Sequence, residues 1–190
     1  MAVRPKIGVT TGDSPHNKAD AMTVSTLSAL LSVLAAAPIA SVEPGPGFKK
    51  IVTIAGSGET GKIVQRGRAD QVPLSNPFGI QPERDGSLII ASWDQHVIYR
   101  LDADYRRIEV IAGTGKPGIS GDDGYPPRKI QLNQPHEIQV APSGDIYVAD
   151  TTNHRVGKIN AGTLRWDVVA GTGEPGYAGD NGDARRAQFN

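Results

Sequence analysis

Residues 113–124 read GTGKPGISGDDG and residues 171–182 read GTGEPGYAGDNG, so eight of twelve positions are identical at a spacing of 58 residues. The tripeptides that lead into these loops, Ile111-Ala-Gly and Val169-Ala-Gly, have a further copy at Ile54-Ala-Gly. Self-similarity at a fixed period is the signature of a repeat protein, in which each unit buries its apolar face against the next. The repeat therefore determines how the other segments are interpreted.

The units also match downstream of these loops, where DGSLIIAS at 85–92 aligns with SGDIYVAD at 143–150. Apolar runs of four to six residues, rich in Ile, Val and Tyr, are bounded in each unit by Gly, Asp, Asn or Pro, which is typical of β-strands. For the second unit we predict strands at residues 136–141, 145–149, 155–159 and 164–169. Four antiparallel strands per unit, with no helical segment, predict an all-β fold made of β-propeller blades.

Residues 144–156 read GDIYVADTTNHRV. This stretch resembles the signature of NHL repeats, and the loop GTGxPGxxGDxG resembles the long inter-blade loop of their secreted bacterial members. The resemblance covers residues 48–190 and implies a β-propeller, commonly with six blades. The first unit departs from the signature, because Ser92 stands where the motif has Asp and Gln95-His-Val stands where it has Asn-His-Arg.

The number of blades follows from the period. Residues 48–190 hold about two and a half units of 58 residues, whereas a closed ring has four to eight blades. We therefore expect an incomplete propeller, the N-terminal part of a larger one. Residues 50–55 match the last strand of a blade, and we expect them to complete the final blade of the ring. Uncovered sheet faces favour association, so we expect the isolated chain to self-associate.

Residues 1–42 form a separate N-terminal segment. The stretch MTVSTLSALLSVLAAAPIA at 22–40 is apolar and Ala-rich, and it follows basic residues, which predicts a secretory signal peptide and a secreted or periplasmic protein. The alternatives are an unstructured tail, an uncleaved membrane anchor or an organelle transit peptide. Residues 43–47, Glu-Pro-Gly-Pro-Gly, form a linker, since this composition sustains neither helix nor sheet.

Composition excludes several classes of function. The chain has no cysteine, which excludes disulfides, Cys-ligated metal sites and thiol nucleophiles. The 20 Lys and Arg balance 20 Asp and Glu, and this neutral charge argues against nucleic-acid binding, which needs excess positive charge. The 23 Gly and 14 Pro indicate many tight turns between short elements.

The long loops 56–75, 113–134 and 171–190 are predicted to open on one face, together with the turns that join the second and third strands. Elaborated loops are where binding sites usually lie, so we expect a protein or small-molecule ligand on this long-loop face. Glu137, at the start of an inner strand where the other unit has glycine, is the strongest specificity candidate. The ligand-binding candidates are His136, Glu137, Trp93, Asn153 and His154.

Other polar residues of the repeat are assigned a structural role. His96 and His154 recur at one repeat position, which favours hydrogen bonding to a neighbouring turn over metal ligation. The residues of this structural motif are Asp150, Asn153, His154, Arg155 and His96. Acidic loops offer weak candidates for calcium, and the prediction is that no metal or other cofactor is bound there. These weak metal candidates are Asp122, Asp123, Asp180 and Asp183.

The sequence contains no recognisable catalytic motif. The leading hypothesis is an extracytoplasmic binding or scaffolding propeller rather than an enzyme. One alternative, implied by resemblance to other propellers, is a metal-assisted lyase or lactone hydrolase, with calcium or zinc as the metal. A second alternative is a truncated fragment without function. Contact with a membrane is expected only through an uncleaved signal anchor.

Overall fold

A computed structural model describes residues 51–121 and 123–190. The predicted signal segment at 1–42, the linker at 43–47 and Asp122 lie outside the described residues. In this described part, no helix has the length and apolar character needed to cross a membrane.

The first sheet contains five antiparallel strands. They are β1 (Arg66–Arg68), β2 (Pro77–Pro82), β3 (Leu88–Ser92), β4 (Val97–Leu101) and β5 (Arg107–Ala112). Their spatial order is β1-β5-β4-β3-β2, so the four longer strands form a meander and the short β1 adds to its outer edge. Strands β2 to β5 are the four strands that the repeat predicts for one blade.

The second sheet contains four antiparallel strands in the order of the chain. They are β6 (Pro135–Val140), β7 (Ile146–Asp150), β8 (Arg155–Ile159) and β9 (Trp166–Ala170). Three-residue 3₁₀ turns lie between strands at Ala69–Gln71, Pro127–Lys129 and Thr151–Asn153, and another follows β9 at Ala184–Arg186. The predicted four-stranded antiparallel blades are confirmed.

The two blades repeat their irregularities as well as their strands. The pairing of β2 with β3 shifts register between Pro77 and Ile80, and that of β6 with β7 shifts between Pro135 and Ile138. Such bulges bend a strand and increase its twist. Both shifts lie at the start of the first strand of a blade, so the first strands of the two blades bend at equivalent places.

Each long loop covers the outer edge of the blade that follows it. Residue Gly67 of β1 pairs with Ile108 of β5, and Tyr125 forms the equivalent bridge to Trp166 of β9. Covering an outer strand removes a template for pairing with other chains. Residues 51–55 pair with neither of the two described sheets. That residues 50–55 complete the final blade of the ring therefore stays a prediction.

The apolar core lies between the sheets and the loop segments packed on them. One cluster packs residues before β2, among them Val72 and Leu74, against the first blade. A second cluster joins the two blades through Ile130 and Leu132, the equivalent residues of the next long loop. The loop therefore fills the space between the blades, and burial of its apolar side chains holds them together.

The blades exchange a large and a small side chain at equivalent positions. In the first blade Tyr99 of β4 and Ile108 of β5 are fully buried, whereas the second blade has Gly157 in β8 and Trp166 in β9. A Cβ atom at position 157 would overlap the Trp166 indole, so the glycine makes room for the ring. Each blade thus fills a similar volume with one large aromatic ring, placed on a different strand.

Replacing Gly157 by Ala is therefore expected to destabilise the protein by about 1–3 kcal/mol, because overpacking forces the indole or the strand to move. The matched control is Gly162→Ala, where the nearest atom to an added Cβ is Asn160 Oδ1 at 3.5 Å. Urea unfolding measures both. Equal unfolding free energies for the two variants would contradict this packing account.

Candidate functional site

The turn between the second and third strands ends in a left-handed histidine in both blades. The 3₁₀ turn at Thr151–Asn153 follows β7 and ends at His154, whose φ of 46° is left-handed. In the first blade His96 occupies the equivalent position with φ 54°. Histidine is among the residues that adopt this conformation more readily, and the turn brings the flanking polar side chains together.

Three buried side chains of the second blade form the turn cluster: Asp150, Asn153 and Arg155. They are 0%, 5% and 7% exposed, respectively. Asp150 Oδ2 accepts hydrogen bonds from Asn153 Nδ2 at 2.8 Å and from Arg155 Nε at 2.9 Å. Asp150 Oδ1 accepts from the backbone N–H of Asn133 at 2.7 Å. All three partners donate, so the ionised carboxylate fits this site.

The turn cluster reaches the long loop that precedes its blade. Asn153 Nδ2 donates to the Gly118 carbonyl at 2.7 Å, and Arg155 Nη2 donates to the Ser120 carbonyl at 3.1 Å. The Arg155 guanidinium also lies 5.6 Å from the centre of the Trp166 ring. Loop, turn and aromatic core are therefore joined at one point.

Because Asp150 is buried, its ionised carboxylate is stable only with the partners that donate to it. Removal from water raises the pKa of Asp150, and the hydrogen bonds from Asn133 and Asn153 and the charge of Arg155 act in the opposite direction. Breaking a buried ion pair on one side leaves an uncompensated charge, which is more costly than the pair is stabilising. The buried carboxylate of Asp150 therefore needs the guanidinium of Arg155 to balance its charge.

The first blade makes the same connections with uncharged side chains. Ser92 and Gln95 stand at the positions of Asp150 and Asn153, and the Ser92 hydroxyl donates to the Ser75 carbonyl at 2.7 Å. Gln95 Nε2 donates to the carbonyls of Gly61 at 3.3 Å and Pro73 at 3.1 Å. The loop is therefore held by the geometry of the turn and not by one particular charge.

Tyr99 extends this uncharged arrangement into the core of the first blade. Its hydroxyl donates to Gln95 Oε1 at 3.3 Å. Burial raises the pKa of Tyr99 to about 12, so the phenol stays protonated and remains a donor at neutral pH. The aromatic ring of each blade therefore meets its turn, Tyr99 by a hydrogen bond and Trp166 by contact with a cation.

His96 connects the first blade to the second. Its Nδ1 accepts a hydrogen bond from the backbone N–H of Gln134 at 3.1 Å, just before β6. Only a neutral imidazole can accept there. Burial of the ring lowers the pKa of His96, while the carboxylates of Asp94 and Asp150 act in the opposite direction.

Three rings meet at the start of the inner strands and form the aromatic patch: Phe78, Trp93 and His136. The ring centres of Phe78 and Trp93 are 5.2 Å apart, those of Phe78 and His136 4.5 Å, and those of Trp93 and His136 5.5 Å. Phe78 is 43% exposed although it belongs to a strand. The patch is thus an accessible apolar surface at the junction of two blades.

Close approach of β2 and β6 creates this junction. A Cβ atom on Gly79 would lie 2.7 Å from the His136 carbonyl oxygen, which is closer than packing allows. Glycine at this position lets the two strands meet, and Phe78 and His136 then face each other across them. Glu137, next along β6, is exposed, and its Oε1 lies 3.7 Å from His136 Nδ1.

The ligand-binding candidates divide into two groups. Trp93, His136 and Glu137 come together at the aromatic patch, whereas Asn153 is buried in the turn cluster and His154 lies in the adjacent turn. Phe78 completes the patch but was not among the candidates. Its alignment with His136 in the repeat was the signal that could have identified it.

Two of the acidic loop residues, Asp123 and Asp183, have protein partners. Asp123 Oδ1 accepts from the Val168 N–H at 2.9 Å, and its Oδ2 lies 2.7 Å from Arg185 Nη2. Asp183 accepts from the Arg185 N–H at 3.0 Å, and Asp180 is exposed. Residues 51–121 and 123–190 contain no group of three or more His, Asp or Glu side chains that could hold a metal ion.

A groove of about 570 Å³ lies between the blades on the side of the short turns. Its walls include Pro126, Pro127, Gly144, Ile159 and Leu164. The charged groups at its rim are engaged, since Arg66 pairs with Glu109, Arg100 with Glu83, and Arg128 donates to Gln65 Oε1. A ligand site on the long-loop face therefore stays a prediction.

The sequence model of the NHL repeat family matches residues 132–159, which include β6 to β8 and the turn cluster. The second blade is an NHL repeat. The chain is 32% identical over 90 residues to Protein SUPPRESSOR OF QUENCHING 1, chloroplastic, of Arabidopsis thaliana. That match covers 47% of this chain and only 8% of the Arabidopsis protein.

Solved structures with a similar arrangement come from Bacteroides thetaiotaomicron. One is a protein of unknown function, with a TM-score of 0.49 and 20% identity over 56% of this chain and 26% of its own. Another is an auxiliary nutrient binding protein, with a TM-score of 0.46 and 24% identity over 63% of this chain and 32% of its own. The chain spans about a third or less of the length of each relative.

Replacing Arg155 of the NHL blade by Val is expected to destabilise the protein by about 3–5 kcal/mol, because the Asp150 carboxylate is left buried without its cation. The triple variant Asp150→Ser, Asn153→Gln, Arg155→Val transplants the uncharged side chains of the first blade. It is expected to recover more than half of the lost stability in urea unfolding. A triple variant no more stable than Arg155→Val would show that the two turns are not interchangeable.

Acidification is expected to weaken the link through His96. Because the native state has the lower pKa, the unfolded chain gains a proton first as pH falls below about 6.5, so stability present above that pH is lost below it. His96→Asn keeps a residue suited to the left-handed turn but removes the titrating ring. Urea midpoints at pH 7.5 and 5.0 should fall more for the wild type than for His96→Asn, and equal decreases would count against the link.

Proposed function

We propose that the two blades belong to a binding module whose ligand contacts the aromatic patch. The observation that carries this proposal is the exposure of contiguous rings at a place where three segments of the chain converge. Single exposed apolar residues are common on protein surfaces, but contiguous apolar surface marks sites of interaction. Aromatic rings also contribute large contact areas to binding sites.

Rigid support favours a binding role for the patch. Phe78 lies on β2 and His136 on β6, each in a short bulge between residues that pair with the neighbouring strand on both sides. The backbone N–H of Trp93 donates to the Asn76 carbonyl at 3.0 Å, which fixes the turn beside β2. A surface held in this way loses little conformational entropy when a ligand binds.

We further propose that this binding module acts outside the cytoplasm. The support is the apolar stretch at 22–40, which follows basic residues as a signal peptide would. The absence of cysteine means that the fold needs no disulfide in such a compartment. Packing between blades and the turn hydrogen bonds supply the stability instead.

Tryptophan fluorescence tests the proposal, because the sequence has two tryptophans and Trp166 is fully buried while Trp93 is partly exposed. In a panel of sugars, amino acids, organic ammonium ions and short peptides, at least one class is expected to change Trp93 emission saturably. Phe78→Ala should weaken that binding about fivefold or more, in line with the loss of an aromatic contact.

The matched control is Tyr177→Ala, which removes an aromatic ring that is 85% exposed and lies on another loop. This variant should bind like the wild type, and Trp93→Phe should abolish the signal. The proposal is wrong if no class alters Trp93 emission, or if Phe78→Ala binds as tightly as Tyr177→Ala.

A further inference from the structure

Two exposed carboxylates flank the aromatic patch. Asp94 follows Trp93, and Glu137 follows His136. Asp94 Oδ2 accepts a hydrogen bond from Asn76 Nδ2 at 2.5 Å, which holds the carboxylate beside the ring of its neighbour. Three aromatic rings and two negative charges therefore share one end of the inner strands.

These carboxylates differ in their partners from the other acidic groups of the two sheets. Those pair with arginine, as Glu109 does with Arg66 and Asp85 with Arg100, or accept backbone N–H bonds, as Asp145 does. Within the described ranges 51–121 and 123–190, neither Asp94 nor Glu137 forms a salt bridge with lysine or arginine. The negative charge at the aromatic patch is thus left without a cation from these residues.

The spacing of the rings suits one small cation. All three ring centres lie within 5.5 Å of each other. An ion resting on the patch can therefore be within ~6 Å of the centres of Phe78 and Trp93 at once, which is the range of cation–π attraction, and close to the imidazole of His136. Carboxylates beside the rings add Coulomb attraction to the same ion.

The second blade lacks both the aromatic ring and the charge that the first blade has in this turn. At the positions of Trp93 and Asp94, the second blade has Thr151 and Thr152. The Thr152 hydroxyl donates to Gln134 Oε1 at 2.6 Å, so that turn is held without either an aromatic ring or a charge. Fixing the turn does not require Trp93 and Asp94, and the pair is therefore free to serve a ligand.

We propose that the aromatic patch, together with Asp94 and Glu137, binds a small organic ammonium ion. This inference rests on the proposed binding function and specifies its ligand class. Cation–π attraction supplies affinity from the ring faces, and the two carboxylates select for positive charge. A neutral sugar would also stack on the rings but would gain little from the charges, so it is the competing ligand class.

Choline and its uncharged isostere 3,3-dimethyl-1-butanol separate the two classes, because they differ in charge and hardly in shape. Titrations of the full chain use Trp93 emission at pH 8 and at constant ionic strength. Choline is expected to bind about tenfold more tightly than the isostere, the size of a cation–π contribution. Glu137→Gln should weaken choline binding about threefold and leave the isostere unchanged.

Glu174→Gln serves as the matched control, since Glu174 is an exposed carboxylate on another loop, and it should leave choline binding unchanged. Equal affinities for choline and the isostere would overturn the inference. If choline fails but a sugar or amino acid changes Trp93 emission in the wild type and not in Phe78→Ala, the ligand class is wrong and the binding function stands. If no probe acts, both proposals fail.

Discussion

One constraint governs how the two blades pack: hydrogen bonds from the turn after the second strand fix the preceding long loop. Through them Asn153 and Arg155 hold the carbonyls of Gly118 and Ser120, and the loop so fixed carries Ile130 and Leu132 into the core between the blades. Without a fixed loop, the blades would lack the apolar layer that joins them. The β6 strand, and with it the aromatic patch, takes its place from this arrangement.

The two blades satisfy this constraint with different chemistry. A buried Asp–Arg pair requires every partner to be present, whereas the serine and glutamine of the first blade require only hydrogen bonds. The position of the large aromatic ring also differs between the blades. Tyr99 hydrogen bonds to Gln95 in the first blade, and Trp166 lies beside Arg155 in the second. Polar turn and aromatic core therefore form one unit in each blade, and single substitutions within it should not be additive.

Much of this fold was predictable, because the apolar runs and the turn residues that bound them recur together every 58 residues. The short strand β1 was not, since a three-residue strand with only Gly between two Arg carries no apolar pattern. The repeat aligned Ser92 and Gln95 with Asp150 and Asn153, but it did not predict that these unlike side chains bond to equivalent parts of the long loop. Trp93, His136 and Glu137 were predicted as site residues, but the contact between Phe78 and His136 depends on the close approach of two strands at Gly79.

If the turn cluster holds the long loop and β6 in place, native-state hydrogen exchange of the Asn153→Ala variant will show it. The variant removes the bonds to the Gly118 carbonyl and to Asp150 Oδ2 while leaving β7 and β8 paired. We predict faster exchange for the amides of residues 118–133, including the Asn133 N–H bound by Asp150, with little change in β7 and β8. Unchanged protection of the loop, or an equal loss across β7 and β8, would contradict the account.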